Sequence, residues 1–141
     1  MATKKSPIRS VKPATTSSSP HAKILLVEDD AFISHAYKDG LERAGLEVLL
    51  ATDGEQAMTQ LHAHRPQLVL LDLIMPIKNG FEVLTELQQD KKYKGIPVIV
   101  LSNLGQDSDM AKAKALGAVD YFIKSNTSMK EVIEKVKGYL H

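Results

Sequence analysis

The chain of 141 residues contains no cysteine. Disulfides, thiolate nucleophiles and cysteine-built metal sites are therefore excluded, so any metal must bind oxygen or histidine, and redox usage says nothing of the compartment. No apolar run approaches the ~20 residues of a membrane span, and the N-terminus lacks the apolar segment of a secretory signal, so a cytoplasmic protein is the expectation. A strong charge balance is also missing: the formal net charge is +1. That figure hides an asymmetry, because residues 1–22 carry Lys4, Lys5, Arg9 and Lys12 and no acid; those four taken from 18 basic residues leave 14 against 17 acidic ones, net −3. The larger part thus has no basic footprint of the nucleic-acid-binding kind, and no direct nucleic-acid partner is expected. Internal repeats are absent. So is a Gly-rich loop after the first apolar run, which argues against dinucleotide binding.

What is present is an apolar content of 43%, enough for the core of one ordinary domain. Residues 1–21 stand outside it. They are rich in Ser, Thr, Pro and Lys, and read as a disordered basic tail. Transit-peptide and anionic-surface roles rank below a plain solvated arm, since no amphipathic helix is visible there. Residues 22–141 are expected to form the domain.

That domain alternates two patterns. Short apolar runs at Lys23 to Val27, Leu46 to Ala51, Leu68 to Leu71, Ile96 to Leu101 and Ala118 to Ile123 read as strands. Helical spacing follows each: Phe32, Ile33, Ala36, Tyr37 and Leu41 up to Gly45; Ala57, Met58 and Leu61 after Asp53-Gly54; Phe81, Val83, Leu84 and Leu87 behind Asn79. The stretch Gln88 to Gly95 is polar enough to end that third helix. Gln106 to Leu116 is a weaker helix stopped by Gly117. Ser128 with Glu131 forms a capping box for the last, which carries Met129, Val132, Ile133, Val136 and Leu140. Five strands alternating with five helices predict an α/β doubly wound five-stranded parallel sheet, and no second domain is expected.

The chemistry gathers at the strand ends. The third strand has no alternation, as befits a strand covered on both faces, and it delivers Asp72 just before Pro76. Alone, Asp72 reads as a turn residue. Its company changes that reading: Glu28 and Asp29 follow the first strand, Ser102 the fourth and Lys124 the fifth, and right-handed crossovers bring these ends to one edge. Crowded carboxylates repel and require positive charge among them. A hard divalent cation such as Mg²⁺ meets that need with oxygen ligands and leaves sites for phosphate oxygens. With Asp72 as nucleophile, Lys124 and the cation would offset charge on a transferring phosphoryl group, Ser102 would hydrogen-bond it, and the product would be an acyl phosphate.

Glu28/Asp29, Asp72, Ser102 and Lys124, in that order, resemble the receiver domain of two-component response regulators. The run Asp72 to Pro76 followed by Asn79-Gly80 resembles the signature around that family's phosphoacceptor. The resemblance covers about residues 22–141 and implies a flavodoxin-like (βα)5 fold of the stand-alone single-domain type. It implies that Asp72 takes phosphate from a histidine kinase or a histidine phosphotransfer protein. Asp29, Asp72 and the backbone carbonyl of Ile74 would ligate Mg²⁺, with Glu28 holding a water of its shell. Ser102 and Tyr121 would act as the switch, changing the face of the fourth helix, fifth strand and fifth helix, where an unknown downstream protein reads the state. A phosphorylation-dependent homodimer is left open, as are the cognate kinase and pathway.

Two positions depart from the family pattern, and two variable positions beside the phosphate are apolar. Ser125 replaces the proline after Lys124, and a cis bond before a non-proline residue costs roughly 2.5–4 kcal/mol, so a trans and looser loop is expected. Asn103 stands where the family has a small residue and would narrow access for small phosphodonors. Ile74 and Leu104, both apolar, flank the phosphate and give a hydrolytic water little help, which implies a long-lived phosphoryl state.

Plainer readings stand beside these. For Tyr121, core packing and switching weigh equally. Asp30, Asp107 and Asp109 read as charges at helix starts. His62 and His64 are two apart on a helix and share no face, so they read as solvated rather than as a metal pair. The rival function is a non-phosphorylated pseudo-receiver acting as an interaction module. An aspartate-nucleophile phosphohydrolase is weaker, because its second aspartate would fall at Ile74.

Overall fold

The computed structural model describes residues 21–140; residues 1–20, where all but the last residue of the expected tail falls, lie outside them. Strand β1 (Lys23–Val27) leads to helix α1 (Ala31–Arg43), and β2 (Glu47–Ala51) to α2 (Gly54–His64). Strand β3 (Leu68–Leu71) leads to α3 (Gly80–Gln89), β4 (Val98–Ser102) to α4 (Asp107–Ala115), and β5 (Asp120–Ile123) to α5 (Met129–Tyr139). The five strands are all parallel in the order β2-β1-β3-β4-β5. This is the doubly wound arrangement, with its switch of direction between β1 and β3. Among the described residues, no helix is long and apolar enough to cross a membrane.

Side-chain alternation along fully covered strands builds two cores. Val69 and Leu71 of β3 pack with Leu25, Val27, Ala57, Leu61, Val83 and Leu84 on the face covered by α2, α3 and α4. Leu68 and Leu70 pack with Ile24, Leu26, Tyr37, Leu41, Val132 and Val136 on the face covered by α1 and α5. All four residues of β3 are fully buried, as its unbroken apolar run implies.

Helix starts follow side-chain caps. Asp30, Asp53, Asn79 and Ser128 each accept from a backbone amide three residues on, and the last two complete capping boxes with Glu82 and Glu131. Strand starts fall later than the sequence implies. Pro97 has no N–H for the ladder and the Ile96 amide is spent on Tyr93 O, so β4 begins at Val98. The Ala118 amide closes α4 by bonding Ala113 O, so β5 begins at Asp120. Within the polar stretch after α3, Lys91–Tyr93 forms a 3₁₀ turn that buries Tyr93, whose hydroxyl meets His62 Nδ1. Phe32, which has helical spacing with the core residues of α1, is 85% exposed.

The loop from β3 to α3 is fixed from behind. An added Cβ at Gly80 would lie 2.4 Å from Asp72 O and 2.7 Å from Leu73 Cα, so only glycine lets α3 approach the strand end this closely. Ile77 in the same loop has φ of 70°, a left-handed conformation costing a β-branched residue about 1–2 kcal/mol. The expected consequence is that Gly80→Ala destabilises the fold by about 3 kcal/mol, because the clash is with backbone and cannot be relieved by a rotamer. Urea unfolding measures this; a change below about 0.5 kcal/mol would show that α3 can retreat freely.

Candidate functional site

The strand order decides which side chains meet. Strands β1 and β3 are neighbours with Val27 opposite Leu71, so the next residues, Glu28 and Asp72, emerge side by side. Both are buried, at 4% and 6% exposure, while Asp29 beside them is exposed. Ligand oxygens of Glu28, Asp29 and Asp72 all lie within 4.8 Å of one another, a cluster that could hold a metal ion. Two strands away from β3, about 10 Å along the sheet, β5 ends at Ile123 and Lys124 follows. Only a long side chain can return across that gap. Lys124 does so, donating to Glu28 Oε1 and, at 3.0 Å, to Asp72 Oδ2.

The electrostatics follow from this crowding. Burial pushes the Glu28 carboxyl above its ordinary range; the Lys124 and Asp30 hydrogen bonds oppose the rise, and the Asp72 charge adds to it. For Lys124, burial acts to lower the ammonium's pKa, but hydrogen bonds and charge from Glu28 and Asp72 outweigh it and hold the pKa above its usual value. Formally, three carboxylates share one ammonium and leave two negative charges, a deficit that a divalent cation matches. The oxygen-only donor set suits a hard ion.

Ser102 is fully buried at the end of β4, and its Oγ accepts from the Leu104 amide at 3.3 Å. The Ile74 amide donates to Asp72 Oδ1 at 3.3 Å, which fixes the carboxylate plane. Tyr121 packs its ring against the core, and its hydroxyl donates to Leu104 O in the loop after Ser102. Burial raises its phenol, helped by the charges of Asp109 and Asp72. Asp30 caps α1, and Asp109 bonds the Gln106 amide at the start of α4. His62, although exposed, is more than a solvated residue because it holds the buried Tyr93 hydroxyl.

The expectation for the Lys124 loop is half right. No cis peptide bond occurs among the described residues, so Lys124–Ser125 is trans. The loop is not loose, however. Lys124–Asn126 forms a 3₁₀ turn, Thr127 Oγ1 donates to Ile123 O at 2.8 Å, and the Ser125 amide donates to Asn103 Oδ1 at 3.0 Å.

Sequence reasoning also passed over Tyr37. Its spacing marks it as core, and it is 9% exposed, yet together with Phe32, Asn103, Ser125 and Met129 it lines an open groove with Lys124. Helical spacing could reveal that Tyr37 is buried, but not that its turn of α1 faces the end of β5.

Comparison with known proteins identifies relatives in sequence and in fold. The family model of the response regulator receiver domain matches residues 24–137. A probable transcriptional regulator, ycf27, of Cyanophora paradoxa is 38% identical over 118 residues, covering 84% of this chain and 48% of the relative. The transcriptional regulatory protein CpxR of Klebsiella pneumoniae is 39% identical over 118 residues, covering 84% and 49%. The chain thus spans about half the length of the curated relatives it matches. Among solved structures, chemotaxis protein CheY4 of Vibrio cholerae superposes with a TM-score of 0.80 at 26% identity, over 86% of this chain and 100% of that one. A phosphorylated cyanobacterial phytochrome response regulator, RcpA, gives a TM-score of 0.73 at 36% identity, over 84% and 91%.

Burial raises the Tyr37 phenol above its ordinary 10.0; the Lys124 charge opposes the shift and that of Glu28 adds to it. A group with a raised folded value stabilises fully below its unfolded value, and that contribution is lost as pH climbs through the folded one. Stability should therefore fall as pH rises above about 10, and Tyr37→Phe should move the midpoint of alkaline unfolding upward. Circular dichroism against pH checks this; an unmoved or lowered midpoint contradicts it.

Proposed function

The chain belongs to the response regulator receiver family, and from that premise we propose that it is a phosphorylation-controlled switch with Asp72 as phosphoacceptor. The observation that carries the proposal is the Lys124 ammonium shared between Asp72 and Glu28 at the ends of β5, β3 and β1. A solvated lysine before a turn would have no reason to be two strands from home and buried against two acids.

In this reading an Asp72 carboxylate oxygen attacks the phosphorus of a phosphohistidine in line. The new O–P bond forms as the N–P bond breaks, the electron pair leaves with the donor's imidazole, and an acyl phosphate remains on Asp72. The donor is a histidine kinase or a histidine phosphotransfer protein. Asp29, Asp72 and the Ile74 carbonyl would hold Mg²⁺, with Glu28 in its outer sphere, and the bound ion would supply positive charge to the phosphoryl oxygens. Lys124 transfers one hydrogen bond from Asp72 Oδ2 to a phosphoryl oxygen. Ser102 gives up its bond with the Leu104 amide and donates a hydrogen bond from its hydroxyl to another. Because Tyr121 is tied to Leu104 O, movement of that loop releases the ring and alters the α4–β5–α5 face read by a downstream protein.

Ile74 is 57% exposed and Leu104 half-buried beside the site. Neither can orient the water that would attack phosphorus and return Asp72 to its free form, so the loaded state is long-lived. Ile74→Asn or Leu104→Gln should shorten its lifetime by about tenfold, since a polar group can position that water. Timed dephosphorylation that is equal in wild type and both variants would remove this explanation.

Incubation with Mg²⁺ and acetyl phosphate should add the mass of one phosphate to the intact protein, and Asp72→Asn should abolish the addition. If no donor, including a phosphorylated histidine phosphotransfer protein, adds mass, the chain is a pseudo-receiver that signals by docking alone.

A further inference from the structure

The aim of Lys124 depends on the turn that follows it. Its own ammonium is fixed by Glu28 and Asp72, but Ser125 and Asn126, which set the backbone direction after it, are exposed. The Ser125 amide points across to the loop between β4 and α4, where Asn103 Oδ1 accepts it at 3.0 Å. Asn103 directly follows Ser102, the buried hydroxyl at the phosphoacceptor edge, and Leu104 after it holds both the Ser102 Oγ and the Tyr121 hydroxyl. A single side-chain hydrogen bond therefore joins the loop that carries the lysine to the loop that carries the switch hydroxyl.

We propose that Asn103 is a positioning residue, a latch whose carboxamide oxygen holds the trans Lys124–Ser125 turn in register and makes the aim of Lys124 follow the position of the Ser102 loop. The proposal rests on the phosphoacceptor reading of Asp72 and extends it. It gives a purpose to both Asn103 and Ser125: the amide of a residue that is not proline needs an acceptor, and the neighbouring loop supplies one. When the Ser102 loop moves toward a phosphoryl group, the latch carries the Lys124 turn with it, so that two donors reach the new oxygens together. Without it, each loop must be ordered separately.

A purely steric role for Asn103, screening the site from small donors, makes the opposite forecast. Three variants separate the two: Asn103→Ala is small, Asn103→Leu keeps the bulk but offers no acceptor, and Asn103→Asp keeps the acceptor oxygen. The first readout is the rate constant for phosphorylation by acetyl phosphate at saturating Mg²⁺, with Mg²⁺ affinity measured separately. The second is hydrogen exchange of the Ser125 amide in the unphosphorylated protein. A latch predicts that Ala and Leu both slow phosphorylation by roughly threefold to tenfold, the worth of one hydrogen bond. Ser125 exchange should quicken by a similar factor in both, Mg²⁺ affinity should hold, and Asp should restore both the protection and at least half the rate. Faster phosphorylation in the Ala variant, or unchanged Ser125 exchange in the Leu variant, overturns the latch. The exchange measurement needs no phosphate, so if wild type accepts none, the phosphoacceptor reading fails by itself and the Ser125 amide still decides whether the latch exists.

Discussion

Two carboxylates buried side by side are the constraint to which the rest of the molecule answers. Adjacent parallel strands in matched register force Glu28 and Asp72 together, and burial makes their mutual repulsion expensive. The fold answers with one ammonium brought from two strands away, which is why Lys124 must be long, partly buried and held by its turn. That answer is incomplete: one ammonium among three acids leaves the cluster net negative, a charge that a hard cation could match.

The scaffold behind the cluster is correspondingly tight. Gly80 lets α3 press against the carbonyl of Asp72, and Gly54 admits the Lys78 backbone just as closely. Between them the β3–α3 loop keeps Ile77 in a left-handed conformation and leaves Ile74 and Ile77 exposed beside the acids. Strain and exposed apolar surface beside a charged site are poor choices for stability alone; they are tolerated where a loop must present a surface. The opposite rim is held by side chains instead, through Asn103 to Ser125 and Tyr121 to Leu104. One rim of the site is thus fixed by close backbone packing and the other by side-chain hydrogen bonds.

Most of the architecture was legible because burial leaves a direct mark on sequence. The unbroken run Leu68 to Leu71 could only be a strand covered on both faces, and side-chain caps at Asn79 and Ser128 fixed helix starts. Strand starts were misread by two residues at β4 and β5 because they depend on which partner takes a backbone amide, as at Ile96 and Ala118. Tyr93 was hidden in a polar stretch, since one buried ring in a 3₁₀ turn has no period to betray it.

By itself, the sequence determined the alternation of elements, the burial of the central strand and the set of acids, hydroxyl and lysine that stand after strands. These are local properties, written in the residues beside them. The tertiary structure alone decided that β1 lies next to β3, that Lys124 bridges Glu28 to Asp72, that Tyr37 borders the site and that Asn103 holds Ser125. The residues of each such pair are between 22 and 96 positions apart in the chain. Their meeting depends on strand order and on the direction of exposed turns, which one-dimensional spacing does not encode.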